Sequence, residues 1–176
     1  MFKRALRAAR FDSKLYQEIA DDPVAFVQAV GIMVISALAF GLGIKAGDPL
    51  EQYANKSYVT ILLWSFSYHA VAWALLGSLT YAVRRLRARQ PVPLVATLNG
   101  IGFAHIPGVL YALLSLGSEY LMILTNMVVL AGMLVGLAVA FRQTTKAPTS
   151  LSFLMAVIGT ILVVQVRNDL LVRIVL

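Results

Sequence analysis

The sequence contains no cysteine and few charged residues. Without cysteine the chain has no disulfide, no thiolate nucleophile, no iron–sulfur cluster and no thiolate zinc site. Charged residues make up 13% of the 176 positions, about half the share that is usual in soluble proteins. Outside the loops, the only titratable groups are two histidines and the tyrosines. Because general acid–base catalysis needs positioned titratable groups, the sequence predicts that the protein is not an enzyme.

Apolar residues take the place of the missing charges, and they come in long runs. Hydrophobic residues account for 60% of the chain, and its mean hydropathy is +0.81. Each run is close to the roughly 20 residues that a helix needs to cross a bilayer. The pattern predicts an all-α, polytopic membrane bundle of five transmembrane helices with a short N-terminal amphipathic helix. The predicted parts are a cytoplasmic segment at 1–22 and a transmembrane domain at 23–176, with spans at about 24–44, 58–83, 94–116, 120–141 and 151–166.

The distribution of basic residues predicts the orientation. Of the 15 lysines and arginines, 11 lie before the first span, between the second and third spans, or between the fourth and fifth spans. The positive-inside rule then places the N-terminus in the cytoplasm. An odd number of spans places the C-terminus outside.

The N-terminal segment has the pattern of a basic amphipathic helix. Phe2, Leu6 and Ala9 recur at helical spacing, opposite a basic face, which is typical of a helix lying on an anionic leaflet. The basic residues that we expect at anionic lipid headgroups, here and in a later loop, are Lys3, Arg4, Arg7, Arg10, Arg84, Arg85, Arg87 and Arg89. The alternative is a docking site for a cytoplasmic partner. Nucleic acid is not expected as a partner, because the basic residues are divided among short loops without a recognition fold.

A second short helix and a start signal lead into the first span. The helix carries Leu15, Tyr16 and Ile19 on one face, and we expect it to complete the surface anchor. Asp22 is suited to cap the next helix, and Pro23 is suited to its first position.

The third span is unlike a lipid-facing helix. Its stretch NGIGFAHIPGVLY contains three glycines, which let neighbouring helices approach closely. Pro107 removes a backbone N–H and predicts a kink near Phe103 and Ala104. The carbonyl left unpaired needs a polar partner, since lipid offers none, and Asn99 and His105 are available. The sequence predicts a kinked helix at the centre of the bundle, with Asn99, Gly102, Phe103, Ala104, Pro107 and Gly108 as its packing residues.

The two histidines are predicted to lie at similar depth. At 1.5 Å per residue, His105 is about 16 Å into its span and His69 about 21 Å from the same side of the membrane. Adjacent antiparallel helices can present such a pair to one haem iron. The alternative, which we favour, is that each neutral imidazole is hydrogen-bonded inside the bundle, so no cofactor and no metal is expected. The polar patch 65–69 is interpreted as bundle packing, with a lipid-headgroup or small-ligand pocket as the alternative.

Three stretches resemble bacterial Yip1-domain proteins. They are FDSKLYQEIADDPVAFVQA (11–29), GFAHIPGVL (102–110) and AVAFRQTTKAPTSLSFLMAVIG (138–159). The second resembles the family's Gly-Phe-Ala-x-x-Pro signature, carried here by Gly102, Phe103, Ala104 and Pro107. The resemblance implies five helices, a cytoplasmic N-terminus and the bacterial inner membrane. The family's eukaryotic relatives are trafficking factors that interact with small GTPases and with each other.

These observations favour a non-enzymatic membrane scaffold or accessory subunit. We expect it to act through helix–helix contacts, as a homo-oligomer or as a subunit of a larger membrane complex. The reasons are its small residues, its short connections and the absence of a set of residues suited to catalysis. The alternative is a transporter or lipid-handling protein, with the kinked third span lining a path. A haem-binding subunit that uses His69 and His105 is the third hypothesis.

Overall fold

The structure is a computed structural model that describes residues 1–20, 22–47, 53, 55–87 and 93–174. Over these residues the chain is all-α, with five helices long and apolar enough to cross a membrane and two short helices before them. The predicted fold class is therefore confirmed. The helices are α1 (Phe2–Ala9), α2 (Ser13–Glu18), α3 (Pro23–Ala46), α4 (Tyr58–Arg87), α5 (Leu94–Ala104), a 3₁₀ helix (Ile106–Leu116), α6 (Glu119–Thr145) and α7 (Thr149–Ile174).

Local chemistry accounts for several helix ends. The Asp22 carboxylate accepts a hydrogen bond of 2.8 Å from the Val24 N–H, and Pro23 occupies the first turn of α3. Three arginines lie in the last turn of α4, where the helix dipole favours positive charge. The 3₁₀ helix ends at Gly117, whose φ of 70° is a left-handed conformation that glycine adopts without strain.

The third span, which we define as α5 together with the 3₁₀ helix, lies at the centre of the bundle. It packs against α3, α4 and α6, whereas α7 packs on the far side against α4 and α6. In its most apolar window, 61% of the residues are buried, against 28–44% in the other four spans. At the N-terminal end of the bundle, α2 packs against α6, and α1 contacts the third span.

The third span changes helix type at its middle. The α-helix ends at Ala104, and Pro107 lies in the first turn of the 3₁₀ helix that follows. The sequence predicts a local kink near Phe103 and Ala104. In the structure the α-helix is instead replaced by a 3₁₀ helix that continues for 11 residues. Runs of this helix rarely exceed about four residues, so the surroundings must stabilise it.

The 3₁₀ conformation also lengthens the span. With a rise of about 2.0 Å per residue in 3₁₀ and 1.5 Å in α, the third span is about 38 Å long. The 27 residues of α6 correspond to about 40 Å. The shorter third span, 23 residues in all, thus reaches almost as far as its neighbour.

Backbone contact between α3 and the 3₁₀ helix explains how this long 3₁₀ run is held. A Cβ atom at Gly43 would overlap the carbonyl oxygen of Tyr111, and one at Gly47 would overlap that of Leu114. At both glycines a Cα hydrogen therefore lies where a Cβ would be, and it faces a carbonyl oxygen. This is the geometry of a weak Cα–H···O contact. Carbonyl groups of the 3₁₀ helix are thereby covered by protein and not by lipid.

We predict that Gly43→Ala destabilises the fold. The new methyl group would meet backbone, which cannot rotate away, and overpacking of this kind costs about 1–3 kcal/mol. The matched control is Gly31→Ala in the same helix, where the added Cβ meets only the end of the Met1 side chain, at 3.2 Å. Thermal unfolding of the detergent-solubilised protein should show a lower midpoint for Gly43→Ala alone. Equal midpoints for the two variants would contradict the contact.

Candidate functional site

The middle of the third span is enclosed by small residues of its neighbours. A Cβ at Gly102 would lie 2.5 Å from that of Ala29 in α3, and one at Gly108 would lie 3.1 Å from that of Ser36. On the α6 side, the Cβ that Gly136 lacks would lie 3.3 Å from the Ala104 backbone. Gly102 and Gly108 are therefore packing residues inside the bundle. They do not form part of its outer surface.

His105 lies at the junction of the two helix types and is 1% exposed. Its carbonyl oxygen accepts hydrogen bonds from the Ser36 hydroxyl, at 3.0 Å, and from the Gly108 N–H, at 2.8 Å. Its Nδ1 lies 2.8 Å from the carbonyl oxygen of Ile101. Since a carbonyl only accepts, Nδ1 carries the proton. One of the two predicted polar groups, His105, thus satisfies a backbone carbonyl next to the helix break.

His69 has a matching arrangement on α4. Its Nδ1 donates to the Ser65 carbonyl oxygen at 2.8 Å, and the Ser65 hydroxyl donates to the carbonyl oxygen of Ala37 in α3, at 2.7 Å. The imidazole is 2% exposed. The ring centres of His69 and His105 are 6.3 Å apart, so the structure brings the two predicted histidines together.

Aromatic rings surround the histidine pair. The His69 ring lies 4.6 Å from that of Tyr68 and 5.8 Å from that of Phe40. Phe40 also contacts the Tyr111 ring at 4.7 Å. Because α3 and α6 touch the third span through glycine and alanine on either side of His105, a haem macrocycle would require these helices to separate. The described residues therefore do not fit a haem between the two rings.

Asn99 joins the third span to the segment that precedes α3. Its side-chain amide donates to the carbonyl oxygen of Ile19 at 2.8 Å and to that of Asp22 at 3.2 Å. The sequence offered Asn99 as a partner for the carbonyl freed by Pro107, and this expectation is corrected. The actual acceptors lie about 80 residues earlier in the chain, between the end of α2 and the start of α3.

The apolar face of α2 packs on protein. Leu15, Tyr16 and Ile19 are at most 1% exposed. The Tyr16 ring approaches the Cβ position of Gly100 to 4.0 Å, and burial raises the pKa of its hydroxyl. A surface anchor would place these side chains in lipid, so the prediction for this helix is corrected. Its hydrophobic residues dock the segment on the third span and α6.

Of the four basic residues at positions 3, 4, 7 and 10, two form ion pairs with described residues and two do not. Arg4 forms an ion pair of 2.7 Å with Asp22, and Arg7 forms ion pairs of 2.7 and 2.6 Å with Asp12 and Glu18. These two arginines hold the segment to itself and to the start of α3. Lys3 and Arg10 are exposed and form no ion pair within the described part of the chain. Within the N-terminal segment, they are the members of the predicted headgroup set that face outward.

The second predicted group of cations ends α4. Arg85 and Arg87 are exposed, and Arg84 is half-buried. Arg89 lies outside the described residues. Asp22 caps the N-terminus of α3, and Pro23 lies in its first turn.

Comparison with known proteins adds no relative. No family model, no curated protein and no solved structure matches this chain.

We predict that docking of the N-terminal segment depends on Arg7 and on pH. Hydrogen bonds from Arg7 lower the pKa of Glu18 and Asp12, and a hydrogen bond from Arg4 lowers that of Asp22. These carboxylates therefore stabilise docking fully above their unfolded pKa values of about 4. The contribution is lost as the pH falls through the lowered folded values.

Spin labels on Ala9→Cys and Arg142→Cys measure this directly, because the chain has no other cysteine. We expect Arg7→Gln to raise the undocked population about two- to fivefold at pH 7. Lys3→Gln, which removes a cation without an ion pair, should leave the distance distribution unchanged. The same broadening in both variants would show that general charge, and not the Arg7 ion pairs, holds the segment.

Proposed function

We propose that the protein is a non-enzymatic integral membrane scaffold or accessory subunit. It acts through helix–helix contacts with itself or with a larger membrane complex. The observation that carries the proposal is a stripe of small residues on the face of α4 that points away from the bundle. The stripe consists of Ala70, Ala74, Ser78 and Ala82, each exposed and each four residues after the last.

This stripe differs from the other lipid-facing surfaces. The exposed residues of α6 include Ile123, Leu124 and Met127, and those of α7 include Phe153 and Leu154. Large side chains of this kind fit a lipid boundary. Small residues at intervals of four let a second helix approach closely and gain packing contacts, which is how membrane helices associate.

The hydroxyl groups on the same face support a partner helix. Ser67 and Ser78 form no hydrogen bond within the described part of the chain, although Ser78 is exposed and Ser67 is only half-buried. By contrast, the hydroxyls of Thr80, Thr144 and Thr160 each donate to a carbonyl of their own helix. A hydroxyl facing lipid gains by bonding to a neighbouring helix, at about 1 kcal/mol or less for each bond.

The proposed interface replaces the glycines of the third span as the assembly surface. Gly102 and Gly108 contact α3 of the same chain, so leucine at either position would disturb the fold before it disturbed any partner. The stripe on α4 can be altered with less effect on the bundle, because its residues are exposed.

We further propose a bacterial inner-membrane location with a cytoplasmic N-terminus, on the resemblance to Yip1-domain proteins and on the positive-inside rule. Exposed cations at the N-terminal end of the bundle support this orientation. They are Lys3, Arg10, Lys14, Arg85, Arg87, Arg142 and Lys146. Anionic lipid headgroups are their expected partners.

The experiment compares Ala74→Leu with Ala131→Leu, a matched substitution at an exposed alanine of α6. We expect Ala74→Leu to weaken self-association or retention of partners at least about tenfold in mild detergent, since a leucine separates the packed backbones. Size-exclusion chromatography with light scattering, together with mass spectrometry of bound proteins, measures both forms of assembly. Ala131→Leu should behave like the wild type. An unchanged assembly in Ala74→Leu would contradict the proposal.

A further inference from the structure

The two buried histidines form a site that the proposed function does not use. We propose that His69 and His105 together bind one monovalent copper ion. Copper binding is independent of assembly through α4, because the stripe and the histidine pair lie on different faces of that helix. His69 is 2% exposed, whereas Ala74 faces outward.

Each imidazole is held in one orientation by its own helix. In both histidines Nδ1 donates to the carbonyl oxygen four residues earlier in the same helix, at 2.8 Å. With Nδ1 protonated, the lone pair of each neutral ring is on Nε2. Histidines that ligate metals show the same arrangement, since a hydrogen bond from the other ring nitrogen fixes the tautomer and the ring position.

The separation of the two rings suits a single ion between them. A metal–nitrogen bond of about 2.0 Å and a distance of about 1.1 Å from nitrogen to ring centre place the centres of two imidazoles on one ion at most about 6.2 Å apart. The observed distance between the ring centres is 6.3 Å. At this separation, an ion bound to both Nε2 atoms requires a nearly linear arrangement of nitrogen, metal and nitrogen. A tetrahedral ion such as zinc would bring the ring centres to about 5 Å.

The two histidines are without further metal ligands among the described residues. Among the described residues, no third histidine, cysteine, aspartate or glutamate joins the pair. A divalent ion held by two neutral ligands would leave two uncompensated charges in an apolar interior, which is strongly unfavourable. Cu(II) also requires more ligands, in a tetragonal arrangement. Cu(I) carries one charge and accepts linear coordination by two nitrogens, so it fits both the number of ligands and their geometry.

The surroundings hold the pair in place. The Ser36 hydroxyl donates to the His105 carbonyl, and the Ser65 hydroxyl links the helix of His69 to α3. The rings of Phe40 and Tyr68 lie beside His69 and exclude water. Because both imidazoles are at most 2% exposed, water has little access to complete the coordination shell of Cu(II), which favours the lower oxidation state.

Copper binding can be measured on the purified, full-length protein. Under anaerobic, reducing conditions the protein is titrated against a chromophoric Cu(I) chelator, and native mass spectrometry counts the retained ions. We expect one Cu(I) per chain in the wild type. In His69→Gln and in His105→Gln, the affinity for Cu(I) should fall by more than about 100-fold. Loss of a metal ligand costs more affinity than loss of a hydrogen bond that only orients the ligand. Glutamine keeps a donor for the backbone carbonyl and is close in size, so the bundle is retained.

X-ray absorption of the copper-loaded wild type provides a test that needs no variant. A linear, two-nitrogen Cu(I) centre gives an intense low-energy edge feature, and this is the expected spectrum. A three- or four-coordinate spectrum would overturn the proposal, as would failure of the wild type to compete with the chelator or equal retention in the glutamine variants. Tighter binding of Zn(II) than of Cu(I) would also contradict it.

Discussion

The backbone of α3 lies against the backbone of the third span over most of its length. Small residues of α3 and of its C-terminal cap recur along this contact, at Ala29, Ser36, Gly43 and Gly47. They face Gly102, Gly108 and two carbonyl oxygens of the 3₁₀ helix. Without side chains between them, the two helices gain dispersion contacts and cover backbone oxygens that lipid cannot satisfy. The long 3₁₀ helix depends on this contact.

Both polar sites depend on the same pair of helices. Ser36 of α3 binds the carbonyl of His105, and Ala37 accepts a hydrogen bond from Ser65, one turn before His69. The imidazoles are thus fixed relative to α3 from two different helices. At the N-terminal end, Asn99 of the third span binds the carbonyls that immediately precede α3. A change in the spacing between α3 and the third span would therefore displace the histidine pair and the docked segment together.

Sequence patterns predict the parts of this fold that are set locally. Five apolar runs predict five helices, and Pro107 indicates where α5 must stop. The extent of the 3₁₀ helix is not local, because it depends on Gly43 and Gly47 of another helix. Similarly, nothing near Asn99 indicates that its acceptors lie before α3. The division of four N-terminal cations into two paired arginines and two exposed residues depends on where Asp12, Glu18 and Asp22 come to lie.

Disulfide trapping in native membranes tests the contact between α3 and the third span most directly. In this cysteine-free chain, cysteines at Ser36 and Gly108 would have Cβ atoms about as close as a disulfide requires. The structure gives 3.1 Å for that pair. We expect rapid, nearly complete intramolecular crosslinking of Ser36→Cys with Gly108→Cys. A control pair, Ser36→Cys with Ala112→Cys, should not crosslink within the chain, because Ala112 is exposed. Equal crosslinking of the two pairs, or crosslinking of the control alone, would contradict the close packing of α3 on the third span.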